Sequence, residues 1–266
     1  MSDAALRRRR LFLPLIVGLV ALAWASLFLW EASPWGRYLE HGDWTEVGLA
    51  GRICSAIWGG TWLAPVLIYA GGWLLMSAAM MLPTALPLLA IFERLTEPRG
   101  DRAALRALVV AGYLAVWSSF GLAAHLIDVG LHTLVSRSAW LAANGWMVGA
   151  AVLALAGAFQ FSALKYHCLD KCRTPFSFVH AHWRDRRPGW ESFRLGVDHG
   201  LFCVGCCWAI MLIMFVVGAG SVGWMLMLGA VMAVEKNAAW GRRISAPLGA
   251  GLLVWSGLVV AQNVWG

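Results

Sequence analysis

Two clusters of cysteine and histidine are the residues of this chain whose types and spacing could do chemistry. The first is Cys168 and Cys172, separated by three residues within a polar stretch. The second stands at the start of a long apolar segment and contains His199, Cys203, Cys206 and Cys207. Thiol and imidazole groups at such spacing bind soft transition metals or exchange disulfides. The sequence therefore predicts a metal or thiol site built from the two clusters.

Helical geometry would place each cluster on one helix face. Cys168 and Cys172 are then i,i+4 neighbours, and the stripe that begins at His199 continues along its helix to Met211. Lysine and arginine flank the first pair and favour the thiolate form that a metal requires. The sequence therefore predicts sulfur ligands that run from a polar segment toward the middle of the bilayer.

Methionines on an earlier apolar segment extend the predicted ligand set. Met76 and Met80 precede Pro83 and Pro87, and prolines inside a membrane helix free backbone carbonyls that a neighbour or ligand must satisfy. Counted from the ends of the apolar segments, these methionines lie level with the second cysteine cluster. Cysteine and methionine together select soft ions, so the predicted cargo is Cu(I) first and Zn(II) second.

Four residues are secondary candidates for metal binding. His125, Asp128 and His132 lie on one side of a predicted helix, and ionisable groups at membrane depth are candidates for function. Simple solvation near the external interface is the favoured explanation for these three, and an entry or exit site for the same ion is the alternative. His167, beside Cys168, is the fourth.

The elements that must position these residues are membrane helices. Hydrophobic residues make up 60% of the 266 residues and charged residues 13%, whereas soluble domains carry about 25% charge. The predicted fold class is therefore all-α, a polytopic transmembrane bundle of about seven helices. The apolar runs long enough for this, together with one shorter run, are 11–30, 61–91, 106–127, 144–164, 201–219, 221–235 and 246–264.

Charge distribution predicts the orientation of the bundle. Eighteen of the 21 lysines and arginines fall on one side of the predicted helices, so the N-terminus should be cytoplasmic. The basic loops suit anionic membrane lipids and require no nucleic acid. We expect a single transmembrane domain over 1–266, with a Cys/His loop at 165–200 between the fourth and fifth predicted helices. We expect it in the bacterial inner membrane, where cytoplasmic thiols stay reduced.

Longer motifs give the chain a family resemblance. They are Met76-x-x-Ala79-Met80-Met81-x-Pro83, Lys165-x-x-Cys168-Leu169-x-x-Cys172-Arg173-x-Pro175, Gly196-x-x-His199-Gly200-x-x-Cys203-x-Gly205-Cys206-Cys207-Trp208-x-x-Met211, and Glu235-Lys236. In these motifs, over about 73–241, the chain resembles the bacterial predicted metal-binding integral membrane proteins, a multi-spanning domain of unknown function. The resemblance implies a membrane metal-binding role but no reaction. Ala238 and Ala239 replace an expected proline, which leaves only the shape of that loop in doubt.

Three functions are compatible with these residues. The favoured one is soft-metal handling, with Cu(I) passed to or from a metallochaperone or a membrane metalloenzyme complex. The second is a structural or assembly subunit in which bound zinc clamps the 165–200 loop to the following helix. The third is a thiol-disulfide relay through Cys206 and Cys207 or Cys168 and Cys172. No phosphate-binding glycine loop, Ser/His/Asp set or pair of catalytic acids is present, which argues against an enzyme.

Overall fold

The computed structural model describes residues 18, 20–29, 32, 63–217 and 222–265. All regular elements in this part of the chain are helices, and no strand occurs in it. The α-helices are α1 Val20–Leu29, α2 Leu63–Leu95, α3 Arg102–Ser136, α4 Ala139–Ala143, α5 Trp146–Phe159, α6 Ala163–Arg173, α7 Pro175–His182, α8 Pro188–Val217, α9 Val222–Asn237 and α10 Ser245–Trp265. A 3₁₀ turn, Gly241–Ile244, leads into α10. The all-α prediction is confirmed for the described residues.

Four helices in the described part of the chain are long and apolar enough to cross a membrane. They are Ala70–Leu95, Arg102–Ser136, Pro188–Val216 and Gly241–Trp265. A fifth span exists if α5 and α6, which meet at an angle of 64°, count as one. Seven spans and a cytoplasmic N-terminus stay predictions. The basic run at 7–10 and the glycine turn at 218–221, on which they partly depend, lie outside the described residues.

The predicted helix at 144–164 is broken. The structure ends α5 at Phe159 and starts α6 at Ala163. Ser162 adopts an extended conformation, and its side chain accepts a hydrogen bond from the backbone N–H of Lys165, which is the geometry of an N-cap. The apolar count misses this break because a serine within an apolar run is read as a tolerated polar residue, although it starts a new helix.

The polar segment 165–200 is mostly helical. It contains most of α6, all of α7 and the first turns of α8, and Pro175 and Pro188 stand at the starts of the latter two helices. Proline is favoured at that position because its missing N–H would be unpaired there in any case. Helix α8 therefore begins at Pro188 rather than at the predicted position 201. The second cysteine cluster lies inside a long helix, well after its first turn.

The central packing contact joins α3 and α8. A side chain at Gly196 of α8 would collide with the backbone carbonyl of Val109 on α3. Small residues allow helix backbones to approach this closely in membranes. The close approach sets Tyr113 of α3 beside Cys203 of α8, and their side-chain atoms are 3.0 Å apart. The sequence of α8 thus determines which α3 residues face its cysteines.

Candidate metal centre

Helix α8 contributes four of the predicted ligands, all of them buried. Cys203, Cys206 and Cys207 are each 1% exposed, and His199 is 4% exposed. The thiols of Cys206 and Cys207 both donate to the backbone carbonyl of Cys203, at 3.1 and 2.9 Å. These bonds run back along the helix and hold the thiols against its axis. The cluster is therefore part of the protein core.

Helix α6 brings the other two cysteines to α8. Cys168 is buried, and a Cβ atom at Gly205 would lie 2.7 Å from its sulfur, so α6 can approach only because position 205 is glycine. The side chain of Cys172 packs against the buried core that contains Cys203 and Cys206. The predicted helix through both cysteines is confirmed as α6. Two cysteine motifs that are distant in sequence meet in one place.

A tyrosine and a histidine lie on the α3 side of the cluster. The Tyr113 hydroxyl donates to the backbone carbonyl of Met81 at 3.1 Å and lies 3.0 Å from Cys203 Sγ. The His199 ring stacks on Tyr113 and meets Phe178 edge-on. Its Nδ1 atom is buried without a hydrogen-bond partner. This nitrogen is thus available as a ligand or as a hydrogen-bonding group.

Lys236 of α9 points into the sulfur cluster. Its ammonium lies 2.8 Å from Cys203 Sγ and 3.7 Å from Cys207 Sγ. The hydroxyl of Thr84 and the thioether of Met81, at 3.4 and 3.9 Å, complete its surroundings. The side chain is 5% exposed. The sequence places Lys236 at a helix end, where it suits the helix dipole, but does not predict that it meets the cysteines.

A buried ion pair holds α6 against α9. Lys165 donates to the Glu235 carboxylate at 2.9 Å, and the two side chains are 0% and 2% exposed. Ser245 donates to the other carboxylate oxygen at 2.7 Å. Arg173 donates to the backbone carbonyls of Glu235 and Ala239. These contacts fix α6, and with it Cys168 and Cys172, without any metal.

The predicted methionines lie in the same buried core as the cysteines. Met76, Met80 and Met211 are at most 3% exposed and belong to the apolar cluster that contains Cys168, Cys203, Cys206 and Cys207. Met80 packs on Gly229 of α9. The methionine whose sulfur contacts the Lys236 ammonium is their neighbour Met81. The backbone carbonyl of Met81 also accepts the hydrogen bond from the Tyr113 hydroxyl, so Met81 contacts the site through both its side chain and its backbone.

The secondary candidates lie apart from the cluster. His167 is exposed on α6, and its ring lies against Phe202. His125 follows Tyr113 by twelve residues on α3, which is about 18 Å along a helix axis. Asp128, also on this far part of α3, is buried and pairs with His132 at 3.6 Å. The distance along α3 thus separates His125, Asp128 and His132 from the cysteines of the described cluster.

Buried sulfur donors in an apolar core suit a soft ion such as Cu(I). In the described ranges 63–217 and 222–265, however, no three His, Cys, Asp or Glu side chains are arranged so that they could hold one metal ion together. The thiols of Cys206 and Cys207 bond to the Cys203 carbonyl, and the Lys236 ammonium lies against Cys203 and Cys207. Loading with a metal therefore requires side-chain rotation within the cluster.

Comparison with known proteins identifies a family match. A family model described as PpoB2, copper chaperone, matches residues 70–259. No curated protein and no solved structure matches the chain. The matched region spans 190 of the 266 residues and includes every residue of the cluster described above.

Proposed function

The chain belongs to the PpoB2 copper chaperone family, and from this we propose that it carries Cu(I) inside a membrane, bound by cysteine sulfurs of α6 and α8. The proposed ligands are Cys172, Cys203, Cys206 and Cys207, with Cys168, His199 and the buried methionines as assisting groups. The observation that carries the proposal is the packing of α6 on α8, where Cys168 lies against Gly205 and Cys172 packs on the buried core that contains Cys203 and Cys206.

The donor chemistry favours copper over zinc. Thiolates and thioethers select Cu(I), whereas structural zinc is bound by four protein ligands with no open coordination position. Methionine sulfurs lie in the same core as the cysteine sulfurs, and methionine is a typical ligand of Cu(I) but not of structural zinc. A buried site rich in both kinds of sulfur is suited to holding Cu(I) away from water and oxidants.

A zinc clamp is a weaker explanation for these cysteines. The clamp hypothesis requires a metal to fasten the 165–200 segment to the following helix. In the structure, α6 already packs on α8 where Cys168 lies against Gly205. The Lys165–Glu235 pair and the exposed Arg242–Asp170 pair also attach α6 to α9 and to the turn after it. Because α6 is held by the protein's own polar contacts, the cysteines are free for cargo.

We further propose that copper handling takes place in the bacterial inner membrane, with the chain as a multi-pass protein. Its partners would be a soluble metallochaperone or a membrane metalloenzyme complex that receives the ion. Four long apolar helices support the membrane location, and the basic polar segments suit anionic lipid. Delivery rather than catalysis accords with the copper chaperone family.

The test is metal content. The protein is purified anaerobically in detergent, and copper, zinc and iron per chain are measured for wild type and for the C203S/C206S/C207S variant. The matched control is Cys54→Ser, which changes the one cysteine of the six in the sequence that lies outside both motifs. We expect copper in wild type and in the control, and its loss in the triple variant.

Other outcomes would contradict the proposal. Copper bound equally by the triple variant would remove the cysteines of α8 from the site. Tightly held zinc, with no exchange for copper, would support the clamp. A metal-free protein with a reversible disulfide would support the relay.

A further inference from the structure

Lys236 is a buried cation whose neighbours are sulfur atoms. In a low-dielectric interior a positive charge is costly unless it is paired. None of the ion pairs in the described part of the chain includes Lys236. The carboxylate of the adjacent Glu235 is already bound by Lys165 and Ser245. The ammonium is therefore stabilised by Cys203, and at longer range by Cys207, Met81 and Thr84.

These neighbours are the donors that a Cu(I) ion would use. Two cysteine sulfurs and one methionine sulfur lie within 3.9 Å of the Lys236 nitrogen. We propose that the Lys236 ammonium holds the place of the cargo when the chaperone is empty, and that Cu(I) loading exchanges it for the metal. This inference rests on the proposed copper function and assigns to Lys236 the control of copper retention.

Charge balance favours such an exchange. One unit of positive charge, Cu(I), enters the sulfur cluster as another, the ammonium, leaves it. No electron is transferred, and each thiol that becomes a ligand gives up its S–H proton to water as the metal binds.

The geometry gives the ammonium a route out. Lys236 is the penultimate residue of α9, next to the polar turn that contains Gly241–Ile244. A long lysine side chain near a helix end can extend its charged group toward water while its methylene groups stay in apolar surroundings. The same displacement explains why no three of the described His, Cys, Asp or Glu side chains are arranged for a metal while the ammonium lies among them.

A tethered competitor changes how the cargo is released. Because Lys236 belongs to the same chain, its ammonium competes for the cluster at a high effective concentration whenever a sulfur ligand dissociates from copper. Its return lowers the apparent copper affinity and speeds transfer to an acceptor. A chaperone needs this property, since a site built only from buried sulfurs would retain Cu(I) too long.

The experiment measures loss of Cu(I) to a water-soluble Cu(I) chelator from wild type, Lys236→Leu and Lys236→Gln. The matched control is Arg137→Leu, which removes one positive charge from an exposed position directly after α3, outside both cysteine clusters. We expect unchanged copper per chain and about tenfold slower loss in both Lys236 variants, because one nearby positive charge is gone. Damage to the fold would speed the loss, so slower loss cannot come from it.

Equal or faster loss in folded Lys236 variants would overturn the proposal. A wild type that binds no copper would instead remove the proposed function, so the two failures are distinct. Amine labelling of the wild-type protein, read by mass spectrometry, covers the case in which neither variant folds. We expect Lys236 to be protected from the reagent in the copper-free protein and labelled after loading. Labelling that does not change on loading would overturn the exchange.

Discussion

Breaking the buried Lys165–Glu235 pair should destabilise the protein far more than breaking an exposed pair between neighbouring segments. The two side chains are 0% and 2% exposed, and their charged atoms are 2.9 Å apart. Glu235→Gln leaves the Lys165 ammonium buried beside a neutral amide, and Lys165→Met leaves the carboxylate with only Ser245. Each change should cost about 3–5 kcal/mol of unfolding free energy, the usual cost of an unpaired buried charge.

The double variant, K165M/E235Q, should recover much of this loss. Removing both charges also removes the desolvation cost of the pair, so replacing buried pairs is often close to neutral. The double variant should therefore be less destabilised than the sum of the two single changes, by about 2 kcal/mol or more. A coupling of this size would identify the pair itself, rather than either residue's packing, as what holds α6 on α9.

The chain supplies a matched control. Arg242 and Asp170 join α6 to the turn after α9 through two contacts of 2.9 Å, but their side chains are 52% and 48% exposed. Arg242→Met and Asp170→Asn should each cost less than about 1 kcal/mol. Unfolding in mixed micelles of increasing denaturing detergent measures both sets. Equal costs for the buried and exposed pairs would refute the argument from burial.

Three further predictions concern α3 and its contact with α8. Tyr113→Phe removes the hydroxyl beside Cys203 and should cost about 1–2 kcal/mol in the same unfolding assay while copper per chain is unchanged. Gly196→Ala should lower stability by about 1–3 kcal/mol through overpacking against α3, whereas Gly251→Ala, where a Cβ meets nothing within 4 Å, should be neutral or stabilising in a melting assay. His132→Ala should leave copper per chain unchanged in metal analysis, and loss of copper there would bring the far part of α3 into the site.

Much of the architecture follows from sequence patterns. Long apolar runs predict helices, and α2, α3 and α10 appear where such runs lie. The break between α5 and α6 depends on one N-cap, Ser162, whose effect an average over many residues cannot resolve. The early start of α8 depends on Pro188 and on amphipathic turns that a hydropathy count excludes. Local capping, rather than composition, decided these boundaries.

The candidate site was partly visible in the sequence. The cysteine motifs are recognisable by their spacing, but their proximity depends on contacts between residues distant in sequence, such as Cys168 with Gly205. Tyr113 belongs to no motif, and the Glu235-Lys236 motif did not indicate that Lys236 contacts the cysteines. A lysine that directly follows an apolar run was the available signal for Lys236, because a charge at membrane depth marks function. Residue spacing in the sequence reveals ligands that share one helix. It does not reveal residues of other helices, such as Tyr113 and Lys236, that pack against those ligands.

The same geometry bears on whether these thiols exchange disulfides. Consecutive Cα atoms are 3.8 Å apart, below the 4.4–6.8 Å that disulfides usually span, so Cys206 and Cys207 are poorly placed to bond each other within α8. Cys203, Cys206 and Cys207 are also buried, whereas a relay must present a sulfur to a partner's thiolate. A small ion can reach sulfurs that a partner protein cannot, and this favours copper as what the cluster receives.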